Sequence, residues 1–213
     1  TRVVVPAHAA LDFDDGSFSL SFWMRWPRGL LPGRHHLLAQ GDPTTAGPDE
    51  SGRRYELFLD SGSLCFSVED HVAPSLLRVP LAPFITGEWV HVAAVRDRKA
   101  GRLKLYADGR LLTTDRPGNP AADGTDRSGC VANSHPLILG DSLRTNASYQ
   151  GAFDDLRFFR EALTDGQVAA IAKRVPLVER ATDPEPAPAA AASLTAAMLP
   201  PLTVHFPLTE GEG

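Results

Sequence analysis

The sequence predicts an all-β protein, an antiparallel two-sheet sandwich that carries one short helix late in the chain. Three observations lead there. Short segments of alternating apolar and polar residues recur along the chain. Turn sequences sit between several of them. No helical pattern intervenes between successive strands, as a parallel α/β sheet would require. A chain of 213 residues suits one such core with a tail.

The clearest alternation is FSLSFWMRW at 18–26, with Phe18, Leu20, Phe22, Met24 and Trp26 on one face and Ser19, Ser21, Trp23 and Arg25 on the other. Further strands are predicted at 34–40, 55–60, 63–68, 89–96, 103–107, 110–113, 136–140 and 152–159. Asp108-Gly109 between LKLYA and RLLT reads as a two-residue type I′ turn, which needs positive φ at both positions. Asp60-Ser61-Gly62 reads as a looser turn between YELFL and SLCFSV. The helix is predicted over 165–175. Thr164 is its N-cap, Gln167 completes a capping box, Leu163 staples onto Val168, and Val168, Ile171 and Val175 form one apolar stripe. Two polar stretches, 41–54 and 114–135, are long for a compact domain and read either as binding loops or as surface excursions. Past residue 180 the tract TDPEPAPAAAAS is a Pro/Ala linker. The chain therefore divides into a sandwich at 1–178, a linker at 179–201 and a strand-like end at 202–213.

Composition excludes several classes. The formal net charge is -5, from 26 acidic against 21 basic residues, without the basic excess that a phosphate backbone demands, so nucleic acid is excluded as a partner. No run reaches the roughly 20 apolar residues that a bilayer span needs, and no signal peptide opens the chain. Because the first residue is Thr1 and not Met, a mature product or an excised piece is expected. Arginine outnumbers lysine heavily, which with abundant Ala, Gly and Pro points to a GC-rich genome. Cys65 and Cys130 lack zinc-site spacing; two buried or free thiols are favoured over one disulfide.

Two motifs resemble a known family. One is the Gly-x-Trp-x-His-Val-Ala block at 87–93 followed by Leu-Tyr-x-Asp-Gly at 105–109. The other is Gly151-x-x-Asp154-Asp155-x-Arg157 followed by Ala162-Leu163 and the capped helix. Together with LDFDDGSFSLSFWMRWP, HLLAQGD, YELFLDSGSLCFSV and LILGDS they make 2–172 similar to the laminin G-like, concanavalin A-like jelly roll of bacterial extracytoplasmic proteins. The resemblance departs at the ends: a phrase of the kind that opens such domains, HFPLTEGEG, stands here at 205–213. Either the chain was cut between tandem copies, which is favoured, or the strand order is permuted.

The resemblance implies a non-catalytic binding or adhesion module, extracytoplasmic, with carbohydrate the commonest ligand class of the family. A structural spacer or protein-interaction domain is the alternative. Glycosidases on this fold carry Glu-x-Asp-x-Glu on one strand, whereas here Glu56-Leu57-Phe58-Leu59-Asp60 has Phe58 in the middle. Along a strand Glu56 and Asp60 stand about 14 Å apart, beyond the roughly 5 to 9.5 Å that paired carboxylates need. No nucleophile elbow accompanies the histidines. His91 is expected to be structural, and Trp23 and Trp89 to be packing. On alternation Asp154 shares a face with Leu156 and Phe158, where a carboxylate must be paired, hydrogen-bonded or metal-bound; related glycosidases hold a structural calcium at the corresponding place, so Asp154 is the candidate metal ligand, with pairing to an arginine or to backbone amides the alternative. Trp26 and Tyr149 border loops and are the candidate ligand-stacking residues. The expected partner is a carbohydrate or protein ligand; the tail strand is expected to dock beside 152–159, either in its own molecule or in a second copy to give a homodimer, or else to belong to a next repeat.

Overall fold

The computed structural model describes residues 2–26, 33–41, 52–114, 117–119, 121–141, 149–173 and 202–206. Among them the strands are β1 (Val3–Val5), β2 (Phe18–Arg25), β3 (Arg34–Gln40), β4 (Arg53–Asp60), β5 (Ser63–Asp70), β6 (Pro74–Pro80), β7 (Trp89–Asp97), β8 (Arg102–Ala107), β9 (Arg110–Leu111), β10 (Leu137–Leu139), β11 (Ala152–Phe159) and β12 (Leu202–Phe206). The helix α1 covers Asp165–Ala172. The strands form two antiparallel six-stranded sheets, β1-β10-β3-β4-β5-β6 and β12-β11-β2-β7-β8-β9. This is the all-β sandwich the alternation predicts.

Alternation also selects the core. Phe18, Leu20, Phe22 and Met24 of β2 meet Tyr55, Leu57, Leu59, Leu64, Phe66 and Val68 of β4 and β5 in one cluster between the sheets. Each such side chain, fully buried, stabilises the fold by roughly 1.5–3 kcal/mol relative to exposure. Two strands escaped the sequence reading. β1 is three valines without alternation, and β6 reads PSLLRVP, with proline at both ends and adjacent leucines. Proline is tolerated there because β6 is an edge strand.

The turns follow from backbone sterics. Asp108 and Gly109 have φ of 47 and 74, as a type I′ turn requires. Ser61 and Gly62, at 50 and 85, do the same, and Asp60 pairs with Ser63, so this second turn is as tight as the first. The capping box forms: Gln167 N donates to Thr164 Oγ1 at 3.3 Å, and Thr164 N donates to Gln167 Oε1 at 2.8 Å. Helix α1 ends at Ala172, short of the predicted 175, and Val175 lies outside the described residues. Leu163, Val168 and Ile171 press onto Ala93, Val95, Tyr106 and Phe159, so the helix segment covers one end of the second sheet's outer face.

Much of the polar stretch 114–135 is built into the frame. Bridges Leu77↔Asp123 and Arg102↔Thr125 stitch it between β6 and β8. Arg96, fully buried, donates from Nε to Asp126 Oδ2 at 2.9 Å and from Nη2 to the carbonyls of Ser128 and Gly129 at 2.6 and 2.7 Å. Arg98 reaches the same carboxylate oxygen at 3.1 Å. Of the other polar stretch, 42–51 lies outside the described residues, as does the linker 179–201. The terminal strand β12 pairs antiparallel with β11 of its own chain, Arg157 opposite His205. Cys65 and Cys130 are free.

Breaking a buried ion pair from one side leaves the other charge uncompensated, at a cost of about 3–5 kcal/mol. Asp126→Ala is therefore expected to lose that much stability in urea denaturation, and Asp126→Leu combined with Arg96→Leu to recover a large part of it.

Candidate functional site

The bulge in β11 governs where Asp154 goes. Asp154 pairs with Trp23 and Arg157 with Ser21, so two residues of β11 oppose Phe22 alone. Asp155 carries the strain, at φ 53. The extra residue shifts the alternation by one. Leu156 and Phe158 belong to the core between the sheets, with Phe153 packed against it, whereas Asp154 lies on the outer face with Trp23 and His91. The simple alternation that set Asp154 beside Leu156 and Phe158 is thereby corrected. Asp155 itself forms a bidentate pair with Arg157 at 2.8 and 2.7 Å and meets His205 Nε2 of β12 at 2.6 Å.

Calcium takes six to eight oxygen ligands. Asp154 is fully buried; its register partner is Trp23 of β2, and His91 of β7 lies one strand further on the same face. Among the described residues no group of three or more His, Cys, Asp or Glu is placed to hold a metal ion.

Trp26 and Tyr149 are brought together, with ring centroids 5.1 Å apart, but beneath the surface, at 3% and 5% exposure. Tyr149 donates to the Arg25 carbonyl at 2.9 Å and packs on Phe153 at 4.5 Å. Both belong to the core cluster, so neither ring offers a face for stacking. Trp23 is buried, and Trp89 is half-buried under the Arg25 guanidinium, 5.1 Å from its ring centroid.

The outer face of the first sheet carries the acidic residues of β4. Glu56 stands 3.5 Å from both Arg54 Nε and His36 Nδ1. Asp60 lies 3.3 Å from Arg78 and 3.9 Å from Arg34. Phe58 sits between them on the strand, with the Arg34 guanidinium 4.2 Å over its ring. Burial pushes the Glu56 carboxyl up, against the pull of Arg54.

An open cleft of about 460 Å³ lies at one edge of the sandwich, lined by Ala7, His8, Asp12, Arg53, Asn133 and Ser134 among others. Its polar side chains stand among three alanines, Ala7, Ala9 and Ala132. His8 Nδ1 accepts from Ala10 N at 3.1 Å, which leaves Nε2 as the protonated donor. Asn133 is clamped, donating to the Val131 carbonyl and accepting from His135 N, both at 3.0 Å. The Asp12 Oδ1 has no hydrogen-bond partner in the protein. Arg53 faces the cleft because it precedes the inward-facing Tyr55 by two positions on β4. Sequence reading missed this constellation, since its members come from three distant segments and share no spacing; the one trace is the polar stretch 114–135.

Two antiparallel six-stranded sheets define a jelly-roll sandwich. The chain belongs to the laminin G-type family described as the concanavalin A-like lectin/glucanases superfamily, whose model matches residues 2–169. Human pentraxin-4 is 26% identical over 117 residues, 54% of this chain, and the chain spans about a quarter of that relative, 24%. Among solved structures, the botulinum neurotoxin serotype G binding domain superposes with a TM-score of 0.63 at 12% identity, over 80% of this chain and 40% of that one. The Ruminococcus gnavus IT-sialidase CBM40 bound to α2,3-sialyllactose superposes at 0.55 with 16% identity, over 81% and 97%. These likenesses are of fold. No helix among the described residues is long and apolar enough to cross a membrane.

Two buried histidines predict a pH dependence. His36 is held down at about 4 by burial and then by Arg34, and His91 at about 4 by burial and then by Arg157. The unfolded chain therefore binds protons near 6.5 that the folded chain refuses. Stability is fully present above pH 6.5 and falls toward pH 4, by about 1.4 kcal/mol per pH unit for each histidine. In urea titrations His91→Phe should flatten the slope by one such increment, and the difference from wild type isolates it from the opposite contribution of Glu56.

Proposed function

We propose that this chain is a non-catalytic binding module whose ligand is a carbohydrate, held in the cleft between the 7–12 segment, Arg53 and residues 133–134. The observation that carries the reading is the lining itself. A sugar presents adjacent hydroxyls, each a donor and an acceptor. The cleft sets a guanidinium and an imidazole N–H beside the Asp12 carboxylate and a side-chain hydroxyl. Its volume falls within the roughly 300–1,000 Å³ of small-molecule sites. A cation and an anion together favour a dipolar, uncharged guest over an ion. The CBM40 neighbour, whose printed ligand is sialyllactose, makes the ligand class reasonable but does not carry it.

Catalysis is opposed by the state of the acidic residues. Glu56 and Asp60 are both committed to ion pairs and separated along β4 by Phe58. An extracytoplasmic setting, where free glycans are met, goes with this reading.

The test is a glycan array followed by calorimetric titration of the glycan it selects. Arg53→Ala and Asp12→Asn are each expected to weaken binding about 10- to 100-fold while the circular dichroism spectrum stays unchanged, the effect of losing one hydrogen bond to a charged group. Full affinity in both variants would move the ligand to another face, and silence across the array would favour a protein partner. No reducing sugar should be released from any glycan bound.

A further inference from the structure

On the outer face of the second sheet Trp23 stands in register with His91 on one side and Asp154 on the other, and Ser21 lies two positions along β2. The patch is closed to solvent: Ser21 and His91 are each 1% exposed and Trp23 9%. Yet the Ser21 hydroxyl, the Trp23 indole nitrogen and both ring nitrogens of His91 have no hydrogen-bond partner in the protein. Buried polar groups in native proteins are almost always satisfied, by protein or by ordered water. Orphans gathered on adjacent positions of one sheet face are a site and not scattered defects.

The chemistry of the set selects what fills it. Trp23 Nε1–H only donates, the Ser21 hydroxyl donates and accepts, and a neutral imidazole presents one donor and one acceptor. Cross-strand neighbours on one face have Cβ atoms about 4.5–5.5 Å apart, so a small guest reaches several of these groups at once. The two imidazole nitrogens point to different sides of the ring, so the occupants must between them accept from the indole and from one nitrogen and donate to the other. An anion accepts only, and a metal cation does neither and finds no group of three His, Cys, Asp or Glu ligands among the described residues. Water does both.

We propose that this patch is a built internal hydration site, in which ordered water is shared by Ser21, Trp23 and His91. It is separate from the cleft and rests on none of the cleft's residues. Two to four polar partners are what a buried water requires, and the patch supplies that number. Burial, reinforced by Arg157, keeps the imidazole neutral down to about pH 4, which preserves its acceptor nitrogen.

The experiment is nuclear magnetic resonance on the full, isotopically labelled chain at pH 7. Cross-relaxation between water and the Trp23 indole proton is expected with the sign of a long-lived bound molecule, and His91 is expected as a single neutral tautomer. His91→Phe should lose that water contact while the indole proton stays protected from bulk exchange. Two results would overturn the proposal. One is a wild-type indole proton without any long-lived water contact. The other is calcium raising the melting temperature of chelated protein, with Asp154→Asn abolishing the rise, which would put a metal in the patch instead.

Discussion

The single extra residue in β11 is the constraint on which the second sheet depends. Period-two alternation sends successive side chains to opposite faces, so one inserted residue reverses every assignment beyond it. With Asp155 taken out of the alternation at φ 53, Phe153, Leu156 and Phe158 all serve the core side, while Asp154, Arg157 and Phe159 serve the outer side. A regular strand with the same sequence would place either the aspartate or the leucine wrongly. The bulged residue is also the junction of the polar outer face, since its carboxylate joins Arg157 of its own strand to His205 of β12. β3 uses the same device: the register slips between His36 and Leu38, which lets Leu37 and Leu38 both enter the core.

The edge cleft depends on a different tie. The chain between β9 and β10 would be a free excursion if its polar groups faced water. Instead the Arg96 guanidinium draws Asp126, Ser128 and Gly129 inward, and Ser128 Oγ reaches the carbonyls of Val68 and Ala73 at 2.7 and 2.6 Å. Val131 N then donates to the Asp14 carbonyl at 2.8 Å, and Gln40 Nε2 donates to the His135 carbonyl at 3.2 Å. The opposite wall is held from below, where Arg160 Nη2 donates to the carbonyls of Ala9 and Asp12. Both walls of the cleft are thus fastened to the same scaffold before any ligand arrives. Preorganisation of this kind removes part of the entropic cost of binding.

The fold was legible because most of its information is local. Alternation in β2, β4, β5 and β7, the positive-φ turn at Asp108-Gly109 and the Thr164-Gln167 capping box each reside in a few consecutive residues. β1 and β6 were not, because three valines and a proline-bounded PSLLRVP show no period of two. The two bulges were invisible for a related reason: a bulge is a fact about the partner strand's register, and the sequence of β11 alone does not state it. Burial misled differently at Trp26 and Tyr149. Their place beside loops suggested exposure, yet their rings close one end of the core. The cleft left only the polar stretch 114–135 as a trace, since His8, Asp12, Arg53 and Asn133 meet only once both sheets are closed.

The face assignment of β11 is the claim that the outer-face arguments share, and nuclear Overhauser contacts from Asp154 and Leu156 test it most directly. The account predicts contacts from the Asp154 β protons to the Trp23 ring, and from the Leu156 methyl groups to aromatic rings of the core between the sheets. Asp154 contacting core rings while Leu156 contacts Trp23 would contradict it.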